Sequence, residues 1–289
     1  MKFATVRRGD ALLAARIQGE EASVLHANGP GQAGGLLPLI TSTADAASLM
    51  FAGEPPGALA ELKLAAPIPR PARNIFCVGK NYADHARELA GSLFKDSDHP
   101  AHPMVFSKVP ETVIGTGEPI VIDPAVSAAI DYEGELTVII GKGGRNIAKD
   151  AALQHVWGYT IINDVTARDL QQRHGQWFLG KSQDSFCPMG PWIVTPDEID
   201  LADTGLRTYV NGELRQSSNT RDLIFDVPTL IAIISTGITL KPGDIIATGT
   251  PAGVGMGFDP PRYLKAGDVV RVEIDGIGAL ENPVVERGA

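Results

Sequence analysis

Two apolar runs near the middle of the chain each end in acid. Asp131-Tyr132-Glu133-Gly134-Glu135 leads directly into Leu136–Ile140, and Tyr159-Thr160-Ile161-Ile162 leads into Asn163-Asp164. Read as strands, these runs place side chains at i and i+2 on one face, so Glu133 and Glu135 stand side by side. Carboxylates held that close raise one another's pKa unless a cation lies between them. Asp164, at the end of the second run, adds a third. A fold that joins two such strand ends makes a hard-oxygen site suited to Mg²⁺ or Mn²⁺, with water or substrate in the remaining octahedral positions. No Cys or His lies close enough in sequence to suggest zinc.

The 289 residues exceed the usual single-domain size, which allows one large domain with an appendage or two domains. A hydrophobic content of 44% supplies a sizeable core, and 32 Gly with 21 Pro point to short strands and many turns rather than a helical bundle. With 25 basic against 34 acidic residues the net charge is −9, which disfavours general binding to nucleic acid or to anionic membranes. Cys77 and Cys187 sit in apolar surroundings and read as reduced, buried thiols of a cytoplasmic protein. The basic start, Met1–Ile17, lacks the uninterrupted apolar stretch of a secretory signal. No apolar run reaches the roughly 18 residues that a membrane-spanning helix needs.

Residues 1–66 read as a small N-terminal α+β unit. Short strands are expected at Lys2–Val6, Ala11–Ile17 and Ala22–His26, and a helix over Thr43–Phe51, stopped before Gly53. Pro67, Pro69 and Pro71 mark 67–73 as an extended linker and domain boundary. The catalytic part, 74–289, opens with a strand over Asn74–Gly79 and a helix over Lys80–Ala90. His85 and Glu88 are three apart on that helix and face the same way. A carboxylate beside an imidazole orients it as a general base, although the same spacing also describes an ordinary surface ion pair. Ser92–His102 is polar and proline-punctuated, a loop able to close over a site, and His99 and His102 are read as loop residues without a third metal ligand.

Further strands are expected at Met104–Ser107, Ile120–Ile122, Leu136–Ile140, Tyr159–Ile162, Trp192–Val194, Leu206–Val210, Ile245–Ala247 and Val269–Ile274. Asn211-Gly212 signals a tight hairpin. Two helices interrupt them, Val165–His174 and Val227–Thr236, the second capped by Gly237. Strands and helices do not alternate regularly, so a doubly wound sheet is excluded and a β-rich α+β fold is expected.

On the first of those helices Asp164, Arg168 and Gln171 fall at i, i+4 and i+7, on one face. An aspartate ahead of a helix is commonly its N-cap, but a cap does not require a guanidinium one turn later. Lys181 lies among small and apolar residues, either partly buried near the carboxylates or solvated on a loop. The run Thr248-Gly249-Thr250-Pro251-Ala252-Gly253-Val254-Gly255-Met256-Gly257 matches neither a Walker A loop nor a dinucleotide fingerprint. Its glycines, Gly249 first, allow close backbone approach to a ligand, with N–H groups to hold a carboxylate.

NYADHARE, DYEGEL, NDVTARDLQ, GKSQDSFCPMGP, VNGELRQ and GDIIATGTPAGVG, in this order, resemble the fumarylacetoacetate hydrolase family, over nearly all of the chain from Asn74 onward. The short N-terminal unit resembles the bacterial members that act as acylpyruvate hydrolases, oxaloacetate decarboxylases or 2-hydroxyhepta-2,4-diene-1,7-dioate isomerases. The resemblance implies a mixed β-roll catalytic domain, a homodimer, and Mg²⁺ or Mn²⁺ held by Glu133, Glu135 and Asp164. It implies a catalytic pair, His85 and Glu88, on a lid that orders with substrate, a site lysine in Lys181, and substrate contacts from Arg168, Gln171 and Thr250. The larger eukaryotic fumarylacetoacetases add a fourth metal carboxylate before the histidine. Here Gly79-Lys80-Asn81-Tyr82 offers none, which argues against fumarylacetoacetate as substrate.

The expected substrate is a small 2-oxo carboxylate with a second carbonyl. Acylpyruvate or fumarylpyruvate cleavage releasing pyruvate comes first, oxaloacetate decarboxylation or the dioate isomerisation second. A non-catalytic metal-binding scaffold is disfavoured because both His85 and Lys181 are present.

Overall fold

The computed structural model describes residues 1–25, 34–42, 56–89 and 100–288. The helix expected over Thr43–Phe51 and most of the loop expected over Ser92–His102, including His99, lie outside the described residues. His102 is exposed.

Strands dominate. The N-terminal part gives β1 (Lys2–Arg8), β2 (Ala11–Gln18), β3 (Glu21–Val24), β4 (Gly57–Ala58) and β5 (Lys63–Ala65), with one short helix, α1 (Leu37–Thr41). Then come β6 (Ile75–Gly79), α2 (Ala83–Leu89), β7 (Met104–Lys108), β8 (Val113–Ile114), β9 (Ile120–Ile122), β10 (Ile130–Asp131), β11 (Gly134–Ile140), β12 (Val156–Asn163) and β13 (Thr166–Ala167). The chain ends through α3 (Arg168–Arg173), α4 (Phe178–Lys181), β14 (Cys187–Val194), β15 (Gly205–Val210), β16 (Glu213–Asn219), α5 (Val227–Gly237), β17 (Ile245–Ala247), β18 (Val269–Ile274) and β19 (Gly278–Glu286).

Ten of the strands run β4-β3-β2-β1-β14-β12-β11-β17-β6-β7 across one large mixed sheet, which β5 and β8 join from the side. A second sheet runs β16-β15-β18-β19-β9 and packs against the first. Leu136, Val138 and Ile140 of β11 meet Leu206, Val272 and Ile274 of the second sheet and Leu230, Ile231 and Ile234 of α5. On the opposite face Ile139 packs with Ile162, Cys77, Cys187 and Ile193. β11 is therefore buried on both faces, and each of its fully buried aliphatic side chains contributes about 1.5–3 kcal/mol. Gly134 opens this strand where the sheets approach closely. A Cβ there would overlap Thr208 Oγ1 and come within 2.8 Å of Val272 Cγ1.

The hairpin expected at Asn211-Gly212 forms, with Val210 opposite Glu213 and φ of 53° and 78° at the two turn residues. α5 starts where Asp226 Oδ1 accepts from Thr229 N at 2.9 Å, but Gly237 is its last residue rather than its cap, and the chain leaves through extended Ile238. Residues 67–73 carry neither helix nor strand, as expected of the proline run. The sheet nevertheless continues across them. Lys2 lies opposite Val194 and Phe3 opposite Ile193, and Phe3, Leu36 and Ile40 share a core with Ile139 and Cys187. The N-terminal strands thus extend the large sheet, while also packing on Leu59, Leu62 and Leu64 of their own part. Both cysteines are free and buried; desolvation pushes both thiols up, Cys187 to about 12. Among the described residues no helix is long and apolar enough to cross a membrane.

Candidate active site

Strand pairing assembles the acids. β11 and β12 are antiparallel with Gly134 opposite Asn163. The ladder then continues past the strand ends: Asp164 N donates to Glu133 O at 2.8 Å, and Glu133 N to Asn163 Oδ1 at 2.9 Å. Glu133 and Asp164 thereby become neighbours, with Glu135 two residues on within β11. One oxygen from each of Glu133, Glu135 and Asp164 lies within 4.8 Å of the others, and all three residues are buried.

Buried carboxylates require counter-charge and donors. Lys181 Nζ bridges Glu133 Oε2 at 2.6 Å and Asp164 Oδ2 at 2.8 Å. Arg168 Nη2 reaches Glu133 Oε1 at 2.7 Å, and its Nε donates to Asp131 Oδ2 at 2.8 Å. Lys108 Nζ donates to Asp164 Oδ1 at 2.7 Å and to Val165 O at 3.1 Å. Among the described residues, four buried carboxylates (131, 133, 135, 164) lie among four buried lysines and arginines (80, 108, 168, 181), Lys80 lining the same cavity as Glu133 and Glu135.

Glu135 accepts the Gly249 N–H at 2.8 Å. Burial raises its pKa well above the carboxylate range, and Asp164 and Glu133 raise it further. Burial also pushes Glu133 up, but Lys181 and Arg168 overcome this and bring it to about 2. Burial lowers Lys181, and Asp164 with Glu133 reverses that and lifts it to about 12. Three convergent carboxylates, all hard-oxygen donors, fit a divalent cation.

A pH dependence follows. Glu135 has a folded pKa above its ordinary value, so in metal-free protein its contribution to stability is present at low pH and lost as pH rises through the folded value. A bound cation favours the ionised form. The rise in melting temperature that Mn²⁺ gives over EDTA should therefore grow from about pH 5 to about pH 8. A rise that stays level or shrinks would remove Glu135 from the ligand set.

Opposite the acids stands α2. His85 Nδ1 lies 3.0 Å from Glu88 Oε2, and Glu88 Oε1 accepts from Gly253 N at 2.9 Å. His85 is 3% exposed, so this is no surface ion pair. With Nδ1 engaged, Nε2 is the ring nitrogen left for the cavity that His85 lines together with Glu133, Glu135, Gln171, Lys181 and Thr250. The cavity measures about 20 Å³, room for about one water. The segment before α2 is pinned, since Asn81 Nδ2 donates to Thr248 O at 2.7 Å and Asn81 Oδ1 accepts from Phe225 N at 2.8 Å.

Two expectations need correction. α3 begins only at Arg168, after a short strand, so Asp164 neither caps it nor shares a helical face with Arg168 and Gln171. Those two do meet, Arg168 Nη1 donating to Gln171 Oε1 at 3.2 Å. Of the two readings left open for Lys181, the one near the carboxylates holds: it is 2% exposed at the end of α4. The glycine amides of the glycine-rich turn are not left for a substrate carboxylate, Gly257 N donating to Val254 O at 2.9 Å. Gly249 N serves Glu135, Gly253 N serves Glu88, and Gly255 N with Met256 N serves Asp131 at 2.6 and 3.1 Å. The protein's own buried acids take up those donors. Thr250 lines the cavity, yet its hydroxyl donates to Gly134 O at 3.0 Å and accepts from Gln216 Nε2 at 2.7 Å.

Lys108 and Asp131 were not anticipated as members of the cluster. Their signals were present: a lysine closing the apolar strand Met104–Lys108, and an acid opening the alternate-position series 131, 133, 135.

Comparison with known proteins places the site among relatives. A family model described as fumarylacetoacetate hydrolase C-terminal matches residues 74–285. Oxaloacetate tautomerase YisK of Bacillus subtilis is 53% identical over 227 residues, 78% of this chain and 74% of that protein. A fumarylacetoacetate hydrolase structure from Exiguobacterium antarcticum aligns with a TM-score of 0.87 at 41% identity, covering 99% of this chain and 100% of that one. Maleylpyruvate hydrolase from Sphingobium sp. SYK-6, solved with manganese(II) and pyruvate, aligns with a TM-score of 0.79 at 30% identity over 99% of each chain.

Proposed function

The chain belongs to the fumarylacetoacetate hydrolase family, and from that premise we propose that it acts on small 2-oxo carboxylates bearing a second carbonyl, by proton transfer at the carbon between the two carbonyls. Oxaloacetate keto–enol tautomerisation is the first reaction to expect. The observation that carries this reading is the buried imidazole of His85, oriented by Glu88 and facing the acid triad across one small cavity. The tautomerase relative supports the substrate class, and the manganese–pyruvate complex of the hydrolase supports a divalent cation beside a 2-oxo acid.

Glu133, Glu135 and Asp164 would hold Mg²⁺ or Mn²⁺, which supplies Lewis acidity to the 2-oxo oxygen and the adjacent carboxylate of a substrate. His85 Nε2 takes the proton from carbon 3 and delivers it to the 2-oxo oxygen, so that the C2=C3 bond forms as the C–H bond breaks. Glu88 holds the ring and balances the imidazolium between the two transfers. Lys181 and Arg168 keep positive charge at the side of the cavity where the oxygen becomes negative. Acylpyruvate hydrolysis is the second reading, favoured by room for about one water beside the same base. His85 would then deprotonate that water as it attacks the distal carbonyl, and cleavage would release pyruvate.

The test follows enol absorbance of oxaloacetate and pyruvate release from acetylpyruvate, each with Mn²⁺ and with EDTA. Enol–keto exchange should exceed the rate given by Mn²⁺ alone and should stop with EDTA. Acceleration of neither reaction would overturn the proposal, and pyruvate release without enol exchange would promote the second reading.

A further inference from the structure

The glycine-rich turn receives Glu88 in a fitted space. Gly253 N donates to Glu88 Oε1, and a Cβ on Gly257 would overlap Oε1 and Cδ of the same side chain and lie 2.6 Å from its Cγ. Gly257 is not among the positive-φ glycines, so its backbone accepts an L side chain, and what it provides is the missing volume. Residues Gly255–Gly257 form a single 3₁₀ turn. The amides of Gly255 and Met256 fasten that turn to Asp131, the acid that also holds Arg168, so the space cannot widen without disturbing the cluster. With Glu88 seated there, its second oxygen lies 3.0 Å from His85 Nδ1.

We infer that Gly257 is a positioning residue for the His85–Glu88 pair, its absent side chain being the space into which α2 must seat Glu88 before the imidazole takes its working orientation. This rests on the reading of His85 as the base and identifies the element that sets it. It also ties the base to the acid cluster through one short turn, since Gly253 and Gly257 receive Glu88 while Gly255 and Met256 between them hold Asp131.

Gly257→Ala tests it. The atoms that the new methyl meets are the end of a flexible side chain, so Glu88 swings out while the fold is kept. kcat/KM for oxaloacetate enolisation should fall by about 10–100-fold, mainly in kcat, which is part of what a general base supplies. Mn²⁺ affinity should not change. In a Glu88→Ala background the same substitution should cost less than about twofold, because nothing remains for it to displace. The shorter acid of Glu88→Asp should recover part of the Gly257→Ala loss. Amide exchange of Ala83–Leu89 in metal-free protein should quicken in Gly257→Ala and in Glu88→Ala, and no further in the double variant. Equal losses with and without Glu88, or exchange unchanged by Gly257→Ala, would overturn the inference. A wild type inactive on every 2-oxo acid would instead remove the functional reading, and the exchange measurement would still decide whether Gly257 seats Glu88.

Discussion

Arg168→Leu should lower the stability of metal-free protein by about 3–5 kcal/mol, the cost of removing one partner from a buried ion pair. The guanidinium is 2% exposed and spans Asp131 and Glu133. Burial alone would lower its pKa, but Glu133 and Asp131 raise it far above the ordinary value, so it is charged at any working pH. Leucine leaves Asp131 with three backbone amides, those of Tyr132, Gly255 and Met256, and Glu133 with Lys181, and removes the guanidinium between the two acids. Urea unfolding of the single variant, and of Arg168→Leu combined with Asp131→Asn, would measure this. The double variant should regain part of the loss, because it removes one stranded charge. A single-variant loss below about 1 kcal/mol would mean that the cluster is solvated and its charges screened.

His85→Ala should reduce kcat/KM for oxaloacetate enolisation by about 10²–10⁴-fold, the range that a positioned acid–base group supplies. Mn²⁺ affinity should hold, because His85 is outside the group of three carboxylates that would take the ion. Decarboxylation of the same substrate relies chiefly on the cation and on Lys181 and Arg168, and should lose much less. Measuring both reactions on one oxaloacetate preparation under one metal condition separates the roles. Equal losses would show that His85 binds or encloses the substrate and moves no proton.

Much of this was legible in local sequence. His85 and Glu88 are three apart, and helical geometry alone makes them partners. Glu133 and Glu135 are two apart beside a strand, and Asn211-Gly212 dictates its own turn. The long-range pairings were not legible. Lys108 meets Asp164 across 56 positions and Asp131 meets Arg168 across 37, and no periodicity reports such a match. The amides of the glycine-rich turn read as free because their acceptors lie elsewhere, Glu135 being 114 positions from Gly249. Residues 1–66 read as separate because composition changes at the prolines, whereas β1–β14 pairing depends on which apolar edge is uncovered once the large sheet has formed.

Gly134 sits between two of the three triad residues at the contact of the two sheets. The backbone that carries Glu133 and Glu135 is therefore backed by Thr208 and Val272, which are not among the residues lining the cavity. Mg²⁺ demands near-ideal octahedral spacing, and larger cations forgive more. A substitution at that contact would thus reach the spacing of the two carboxylates, and with it the preference for any ion they would hold, while every residue lining the cavity stays as it is.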